Sequence, residues 1–167
     1  LTSKRVISGA STISQQLIRV VDPRPRTLMT KIREFLMALR LEGSLSKAQI
    51  LERYLNAVSM FGNVRGINMA ALLLFGKSPE MLNLAESATL AAAIQAPGRL
   101  DPFSSKGNAR LLNRRNWVLG EMRRIGIVED NSFTSARKLA IPSWRRQRPF
   151  NAPHFCDLVL AQNISIS

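Results

Sequence analysis

The sequence predicts a mainly α-helical protein, and three observations support this prediction. Apolar residues recur at three- and four-residue spacings in several segments, which is the period of an amphipathic helix. Several of these segments begin at a Ser or Asn that can cap a helix, and end at a Gly or Pro. No segment shows the strict alternation of apolar and polar residues that is typical of a half-buried strand.

The first two predicted helices lie close together near the start of the chain. Ser11 and Thr12 precede the first helix, and either side chain can serve as its N-cap. The second helix is predicted over residues 26–42, after two prolines that cannot continue the preceding helix. One side of it is apolar and carries Leu28, Ile32, Phe35, Leu36 and Leu39. Glu34 lies away from that side, where a lone glutamate is ordinarily solvated.

The next helices have clear boundary signals. Ser46 is the predicted N-cap of a helix whose inner side carries Ile50, Leu51, Tyr54, Leu55 and Val58. An apolar helix follows the turn "FGNVRG" and ends at Gly76, which suits a helix C-terminus. Asn83 and Glu86 have the spacing of a capping box at the start of another helix.

The last long helix is predicted over residues 109–125, and the composition changes after Val128. The segment "IPSWRRQRPFNAPH" is rich in Pro and Arg, which favours an extended connector. The sequence therefore predicts a domain over residues 1–128 and a connector over residues 129–167.

Composition restricts the kinds of partner and site. The chain of 167 residues has 24 Lys and Arg against 11 Asp and Glu, a formal net charge of +13. Such a charge indicates an anionic partner: nucleic acid, an acidic membrane surface or a phosphorylated substrate. Aromatic residues make up only 6% of the chain, which argues against a single-strand binder built on base stacking. With one His and one Cys, a histidine–cysteine metal cluster and an internal disulfide are excluded within these residues.

A group of cations surrounds Glu34 in the sequence. It comprises Arg19, Arg26, Lys31 and Arg33. Four cations near one carboxylate are typical of an anion-binding site, since guanidinium groups bind phosphate in a bidentate manner.

The polar residues before and within the first helix form a second candidate set. Ser11, Thr12, Gln15 and Gln16 supply hydroxyl and amide groups that can hydrogen-bond a sugar. The alternative is structural: a hydroxyl caps the helix and the glutamines are ordinary helical residues.

A second basic set lies on the last long helix and comprises Arg114, Arg115, Arg123 and Arg124. These residues are interpreted as solvated or as facing anionic lipid headgroups. Trp117 and Trp144 are either membrane-interface anchors or buried side chains.

Four strings, in order along the chain, resemble the motifs of the peptidoglycan glycosyltransferases of class A penicillin-binding proteins. "GASTISQQLIR" is similar to G-G-S-T-[IL]-T-Q-Q-L-x-[KR], and "KIREFLMALRLE" is similar to R-K-x-x-E-x-x-x-A-x-x-[LI]-E. "KAQILERYLNAVSMFGNVRGINMAALLLFGK" and "LAESATLAAAIQAPGRLDP" resemble the two motifs that follow. Ala10 for Gly and Ser14 for Thr are mild departures, whereas Thr30 for Arg removes one cation of the motif.

The resemblance implies a lysozyme-like helical domain with a small membrane-facing part. It implies polymerisation of lipid II at the outer, periplasmic face of the bacterial cytoplasmic membrane, with release of undecaprenyl diphosphate. The implied partners are lipid II, the growing glycan strand, an anionic membrane surface and the transpeptidase domain of the parent chain, with no nucleic acid. No cofactor or dedicated metal site is expected, although a divalent cation could assist the leaving diphosphate.

The motif positions imply roles for individual residues. Glu34 matches a catalytic glutamate that assists the donor side. Arg19, Arg26, Lys31 and Arg33 match the diphosphate-binding positions, and Ser11, Thr12, Gln15 and Gln16 match the sugar- or phosphate-binding cleft. The family's first motif, E-D-x-x-F-x-x-H-x-G, contains the general-base glutamate and does not occur in the 167 residues. An N-terminally truncated domain, inactive alone and without its membrane anchor, is therefore expected.

Two other functions are compatible with parts of the sequence. A lysozyme-like enzyme that cleaves peptidoglycan would keep a catalytic glutamate but would not need the cations beside it. A helical nucleic-acid-binding domain would explain the net charge, and it would place its basic residues along one groove-facing helix.

Overall fold

The computed structural model describes residues 11–143 and consists of helices joined by short loops. The α-helices are α1 (Ile13–Val21), α2 (Leu28–Ser44), α3 (Lys47–Ala57), α4 (Ile67–Phe75), α5 (Leu84–Ala93), α6 (Ser105–Arg124) and α7 (Asp130–Lys138), with a short 3-10 helix at Pro79–Met81. The described residues contain no strand and one isolated β-bridge, between Ser59 and Arg65. The mainly α-helical fold class is confirmed.

The helix boundaries follow the capping signals in the sequence. Ser46 caps α3 through a capping box with Gln49, and Asn83 caps α5 through a capping box with Glu86. Each box satisfies backbone N–H groups that have no partner within the helix. Gly76 adopts the left-handed conformation after α4, with φ of 70°, as predicted from its position.

The main core lies where α4, α5 and α6 pack against α1 and α3. Small residues such as Ala70 of α4 and Ala93 of α5 are fully buried, so the helices approach closely. Leu111 of α6, Leu17 of α1 and Ile50 of α3 complete this cluster. On α3, Tyr54 and Val58 are buried as predicted, whereas Leu51 is exposed.

Helix α2 turns the side predicted to be solvated towards the protein. Glu34 is 7% exposed and Ala38 is 4% exposed, whereas the five apolar residues of the opposite side are each about half exposed or more. The alternative that holds for a lone glutamate, a solvated side chain, therefore does not apply to Glu34. The small Ala38 allows α2 to approach its neighbours, and the buried carboxylate of Glu34 is compensated by cations, as described below.

The C-terminal part of the fold differs from the prediction in two ways. Helix α6 begins four residues earlier than predicted, because Ser104 caps it by accepting the Gly107 N–H. Residues 130–138 form α7 instead of an extended connector, and Ala136 packs α7 against Leu119 of α6. The division of the chain at residue 128 remains a prediction.

Arg115 is buried, so its interpretation as a solvated or lipid-facing residue is wrong. It is 1% exposed, and its guanidinium donates to the backbone carbonyls of Arg137 and Leu139 at 3.1 and 2.6 Å. The Asn116 side-chain oxygen accepts two further bonds from the same group. Neutral oxygens therefore solvate this cation inside the protein. Trp117 is 53% exposed with the Arg114 guanidinium 4.0 Å from its ring centre, and Trp144 lies outside the described residues.

Candidate functional site

The candidate site lies where the end of α1 meets the first half of α2. Thr12 caps α1 by accepting the Gln15 N–H at 3.3 Å. Thr27 caps α2 in the same way, accepting the Thr30 N–H at 3.1 Å. The two helices pack against each other, and this brings Arg19 of α1 to Glu34 of α2 across 15 positions of sequence.

Glu34 is the centre of the site and has two cations beside it. Arg19 donates from Nε and Nη2 to the two carboxylate oxygens, at 2.9 and 2.7 Å. The Lys31 ammonium is 3.6 Å from Oε2 and donates to the Ser11 hydroxyl at 2.7 Å. Hydrogen bonds from Arg19 are the main cause of the lowered pKa of Glu34, and the positive charge of Lys31 lowers it further. Glu34 is therefore ionised at neutral pH.

The other predicted cations do not surround Glu34 in the structure. Arg33 pairs with Asp22, the residue at which α1 ends, and Arg24 also donates to that carboxylate. Arg26 is exposed and has no hydrogen bond or ion pair among residues 11–143. Of the four predicted cations, Arg19 and Lys31 thus contact Glu34 and Arg33 contacts Asp22, whereas Arg26 contacts neither carboxylate.

The amide and hydroxyl side chains predicted to bind a sugar differ in their contacts. Gln16 is half-buried: its side-chain oxygen accepts the Tyr54 hydroxyl at 3.1 Å, and its nitrogen donates to the Ser11 carbonyl at 3.4 Å. Thr12 serves as the N-cap, the structural alternative for that residue. The Gln15 side chain has no hydrogen bond within residues 11–143. Burial raises the pKa of Tyr54, which keeps its hydroxyl protonated as the donor to Gln16.

Several residues that shape the site are not among those predicted from the sequence. Asp22 and Arg24 belong to it through their ion pairs, and Tyr54 through Gln16. The buried Ser14 hydroxyl donates to Glu42, a second contact between α1 and α2. The sequence does show that Asp22 is the one acidic residue between Arg19 and Glu34, which was a signal that a cation would pair with it.

A groove of about 600 Å³ lies at the opposite end of α1. Its walls are Ile13, Ser14, Glu42, Leu45, Lys47, Ile50 and Leu51. None of the sequence-predicted site residues lines this groove.

Two further features of residues 11–143 concern membranes and metals. No helix in this range combines the length and the hydropathy that crossing a bilayer requires. The same residues contain no group of three or more His, Cys, Asp or Glu side chains arranged to hold a metal ion.

The arrangement can bind an anion next to an ionised carboxylate. Arg19 uses two of its five N–H groups on Glu34, and Lys31 is about half exposed. Both cations therefore keep donors for a ligand while Glu34 fixes their position. Within residues 11–143, the Arg26 guanidinium and the Gln15 amide form no hydrogen bond or ion pair.

Known proteins resemble this chain in sequence and in fold. A family model described as Transglycosylase matches residues 1–123. Penicillin-binding protein 1C of Escherichia coli is 41% identical over 165 residues, which are 99% of this chain and 21% of that protein. Penicillin-binding protein 1A of Escherichia coli is 38% identical over 162 residues, 95% of this chain and 19% of that protein. The chain thus spans about a fifth of the length of these relatives.

The crystal structure of penicillin-binding protein 1A from Haemophilus influenzae, at 2.6 Å resolution, shares the fold. The TM-score is 0.53 at 22% identity, over 91% of this chain and 20% of that one. The predicted lysozyme-like helical class is thereby confirmed. The spacing of "VVDPRPRT" is most similar to the 1C type, which agrees with the 41% identity to that protein. The chain belongs to the transglycosylase family, the peptidoglycan glycosyltransferase domain of class A penicillin-binding proteins.

Proposed function

We propose that this domain binds lipid II and transfers its sugar to a growing glycan strand, with release of undecaprenyl diphosphate. The observation that supports this most is the buried, ionised Glu34 held between Arg19 and Lys31. These residues come from two separate motifs of the family, and the fold brings them into contact. Cations next to a sugar site are what a diphosphate leaving group requires.

In the proposed reaction the 4-hydroxyl of the acceptor GlcNAc attacks C1 of the donor MurNAc with inversion, and its proton passes to a general-base glutamate of the parent protein. The family resemblance implies that this glutamate belongs to the motif E-D-x-x-F-x-x-H-x-G, which does not occur in the 167 residues. The bond from C1 to the diphosphate oxygen breaks, and the departing diphosphate keeps the bonding electron pair. Arg19, Lys31 and Arg26 stabilise the charge that develops on that oxygen. Because the pKa of Glu34 is lowered, its part on the donor side is to hold Arg19 and Lys31 in place, and not to donate a proton.

The ionisation of Glu34 also argues against a peptidoglycan-cleaving enzyme. A glycosidase needs a carboxylic acid whose pKa is raised, so that it can protonate the leaving oxygen. Glu34 has the opposite environment, with one guanidinium and one ammonium beside it. A glycosyl transfer with a diphosphate leaving group needs no such acid.

A nucleic-acid-binding function is not supported by the second basic set. Arg115 is buried, and Arg123 and Arg124 form ion pairs with Asp130 and Glu121. The four cations therefore do not form a continuous row on one exposed side of α6, which groove binding would require.

The first test is binding of the chain to liposomes that contain lipid II, against liposomes of equal surface charge without it. We expect Arg26→Ala to weaken lipid II-dependent binding about tenfold, because it removes a charge-assisted contact to the diphosphate. Glu34→Gln should retain binding, since it removes a negative charge and preserves the shape of the side chain. Sedimentation of the liposomes with bound chain gives the affinity.

Arg53→Ala is the control for the loss of one positive charge, since Arg53 is exposed on α3 and outside the site. This variant should change the affinity for lipid II liposomes less than twofold, because a solvated charge contributes little to an interaction. Equal affinity for both kinds of liposome, with a steep loss at higher salt, would show that charge alone drives binding, and the proposed donor site would be wrong.

We also propose that the exposed apolar side of α2 contacts the anionic membrane surface. It carries Leu28, Met29, Ile32, Phe35, Leu36 and Leu39, which are 48–79% exposed. Arg33 and Arg40 lie at its edge, where they and four apolar residues of α2 line a shallow groove of about 340 Å³. An apolar side with arginines at its edge suits the boundary between acyl chains and anionic headgroups.

Leu36→Ser is expected to weaken binding to phosphatidylglycerol liposomes about tenfold, because a leucine side chain is no longer buried in the bilayer. Ile127→Ser is the matched control, since Ile127 is 66% exposed between α6 and α7. Both variants should unfold at the temperature of the unmodified chain. An equal effect of the two substitutions would contradict a specific role of α2.

The remaining parts of the proposal concern the parent protein. Because the relatives are penicillin-binding proteins, we propose that the parent chain carries a membrane anchor and a transpeptidase domain. The domain would then work at the periplasmic face of the cytoplasmic membrane. A divalent cation that assists the diphosphate remains a prediction, which chelation during turnover by the parent protein would test.

A further inference from the structure

The second ion-pair group, centred on Asp22, is not explained by the stability of the helices. Asp22 is the C-cap of α1, where its backbone N–H donates to the Ile18 carbonyl. The C-terminus of a helix carries a partial negative charge, so a carboxylate there is unfavourable for the helix itself. Asp22 therefore depends on the cations that it contacts.

Two guanidinium groups converge on the Asp22 carboxylate. Arg24 Nε donates to both oxygens, at 3.1 and 3.0 Å, and Arg33 of α2 donates to Oδ2. Hydrogen bonds from Arg33 and then Arg24 lower the pKa of Asp22, so the carboxylate is ionised. Two arginines on one oxyanion are the arrangement that proteins use to bind phosphate, and here the anion belongs to the chain.

The backbone around Arg24 favours this arrangement. Pro23 and Pro25 flank Arg24, and each proline fixes its own φ. The proline that follows Arg24 also restricts Arg24 to extended conformations. The loop therefore holds the backbone of Arg24 with little loss of backbone conformational entropy, whether the anion is Asp22 or a ligand.

The Asp22 group lies beside the Glu34 group. Arg19 and Asp22 are three residues apart at the end of α1, and so face the same side. Arg33 and Glu34 are adjacent on α2. Two ion pairs therefore join the end of α1 to the same part of α2. In the first the cation, Arg19, comes from α1, and in the second the cation, Arg33, comes from α2.

We propose that Arg24 and Arg33 form a second phosphate subsite, which Asp22 fills as an internal anion until a diphosphate ligand displaces it. The inference rests on the proposed function, because the Glu34 group would bind one phosphate of the diphosphate and this subsite the other. Displacement is feasible because the side chains of Asp22, Arg24 and Arg33 are 35%, 49% and 40% exposed. Ion pairs with that exposure are weak and exchange readily with a ligand.

The test is a calorimetric titration of the 167-residue chain with inorganic pyrophosphate at fixed ionic strength. Asp22→Asn is expected to tighten pyrophosphate binding about twofold to fivefold, because the ligand no longer competes with an exposed ion pair. Arg24→Ala is expected to weaken binding by a similar factor. Asp22→Glu should behave like the unmodified chain, since it retains the internal anion.

The matched control is Asp130→Asn. Asp130 pairs with Arg123 at the junction of α6 and α7, so this variant removes the same charge from an exposed Asp–Arg pair elsewhere. It should change pyrophosphate affinity less than Asp22→Asn does. If Asp22→Asn binds no more tightly than Asp130→Asn, or binds more weakly, Asp22 is not a displaceable anion and the inference is overturned.

Lys31→Ala separates this inference from the proposed function, since Lys31 belongs to the Glu34 group and is half exposed. Loss of affinity in Lys31→Ala with no effect of Asp22→Asn or Arg24→Ala overturns the second subsite alone. Absence of pyrophosphate binding by the unmodified chain overturns both proposals. A competition experiment tests whether the ligand is a lipid-linked diphosphate. Release of the chain by pyrophosphate from lipid II liposomes, but not from phosphatidylglycerol liposomes, supports this ligand. Equal release from both kinds of liposome overturns that assignment.

Discussion

Arg115→Ala is expected to lower the free energy of unfolding by about 3 kcal/mol, since it leaves a cavity at a fully buried side chain and removes the donors to two backbone carbonyls. The carbonyls of Arg137 and Leu139 lose the hydrogen bonds that join the end of α7 to α6. Denaturation by urea, followed by circular dichroism, measures the change.

Arg114→Ala is the control for this prediction. Arg114 is the preceding residue of the same helix, is half-buried and stacks on the exposed Trp117. Its removal should cost about 1 kcal/mol, because the ring of Trp117, its cation–π partner, is itself 53% exposed. Equal destabilisation by the two substitutions would show that Arg115 does not hold α7 in place.

Gly107→Ala is expected to destabilise the protein by about 3 kcal/mol, at the upper end of the usual cost of overpacking. A Cβ atom at Gly107 would lie 2.2 Å from the Asp101 carbonyl oxygen and 2.9 Å from the Asp101 nitrogen. These are backbone atoms, so the first turn of α6 and the preceding loop must move apart. Urea denaturation of the variant measures the loss.

Gly120→Ala in the same helix is expected to stabilise the protein. A Cβ atom there has no neighbour within 4 Å. Alanine in a helix interior should therefore raise the free energy of unfolding by roughly 0.5–1 kcal/mol through its higher helix propensity. A similar effect of alanine at both positions would mean that the contact between Gly107 and Asp101 is not rigid.

The residue identities of the candidate site were predictable, but their pairing was not. The motif strings indicated Arg19, Lys31 and Glu34, and the structure brings these three together. The sequence placed Arg33 in the same group, because it is adjacent to Glu34. Adjacent residues on a helix point in directions about 100° apart, so Arg33 reaches Asp22 instead.

Much of the fold was also readable from local signals. The caps at Ser46, Asn83 and Gly76 were predicted because each satisfies backbone groups of its own helix, a requirement that is local in sequence. Helix α7 was missed because its residues are mostly polar and the segment after it is rich in Pro and Arg. Its position depends on Arg115, a contact over 22 residues of sequence.

The sequence by itself determined the helical class, most helix boundaries and the transglycosylase motifs, because these depend on spacing and capping between near neighbours. Only the tertiary structure decided which side of α2 is buried. Its periodicity shows two sides, and the apolar side would ordinarily be inside. Here the cations Arg19 and Lys31 offset the burial of the Glu34 carboxylate, and Ala38 allows close packing. Contacts with α1, from Arg19 to Glu34 and from Ser14 to Glu42, lie on this side of α2, and the apolar side is left exposed. These contacts join residues 15 and 28 positions apart, so the spacing within α2 could not indicate them.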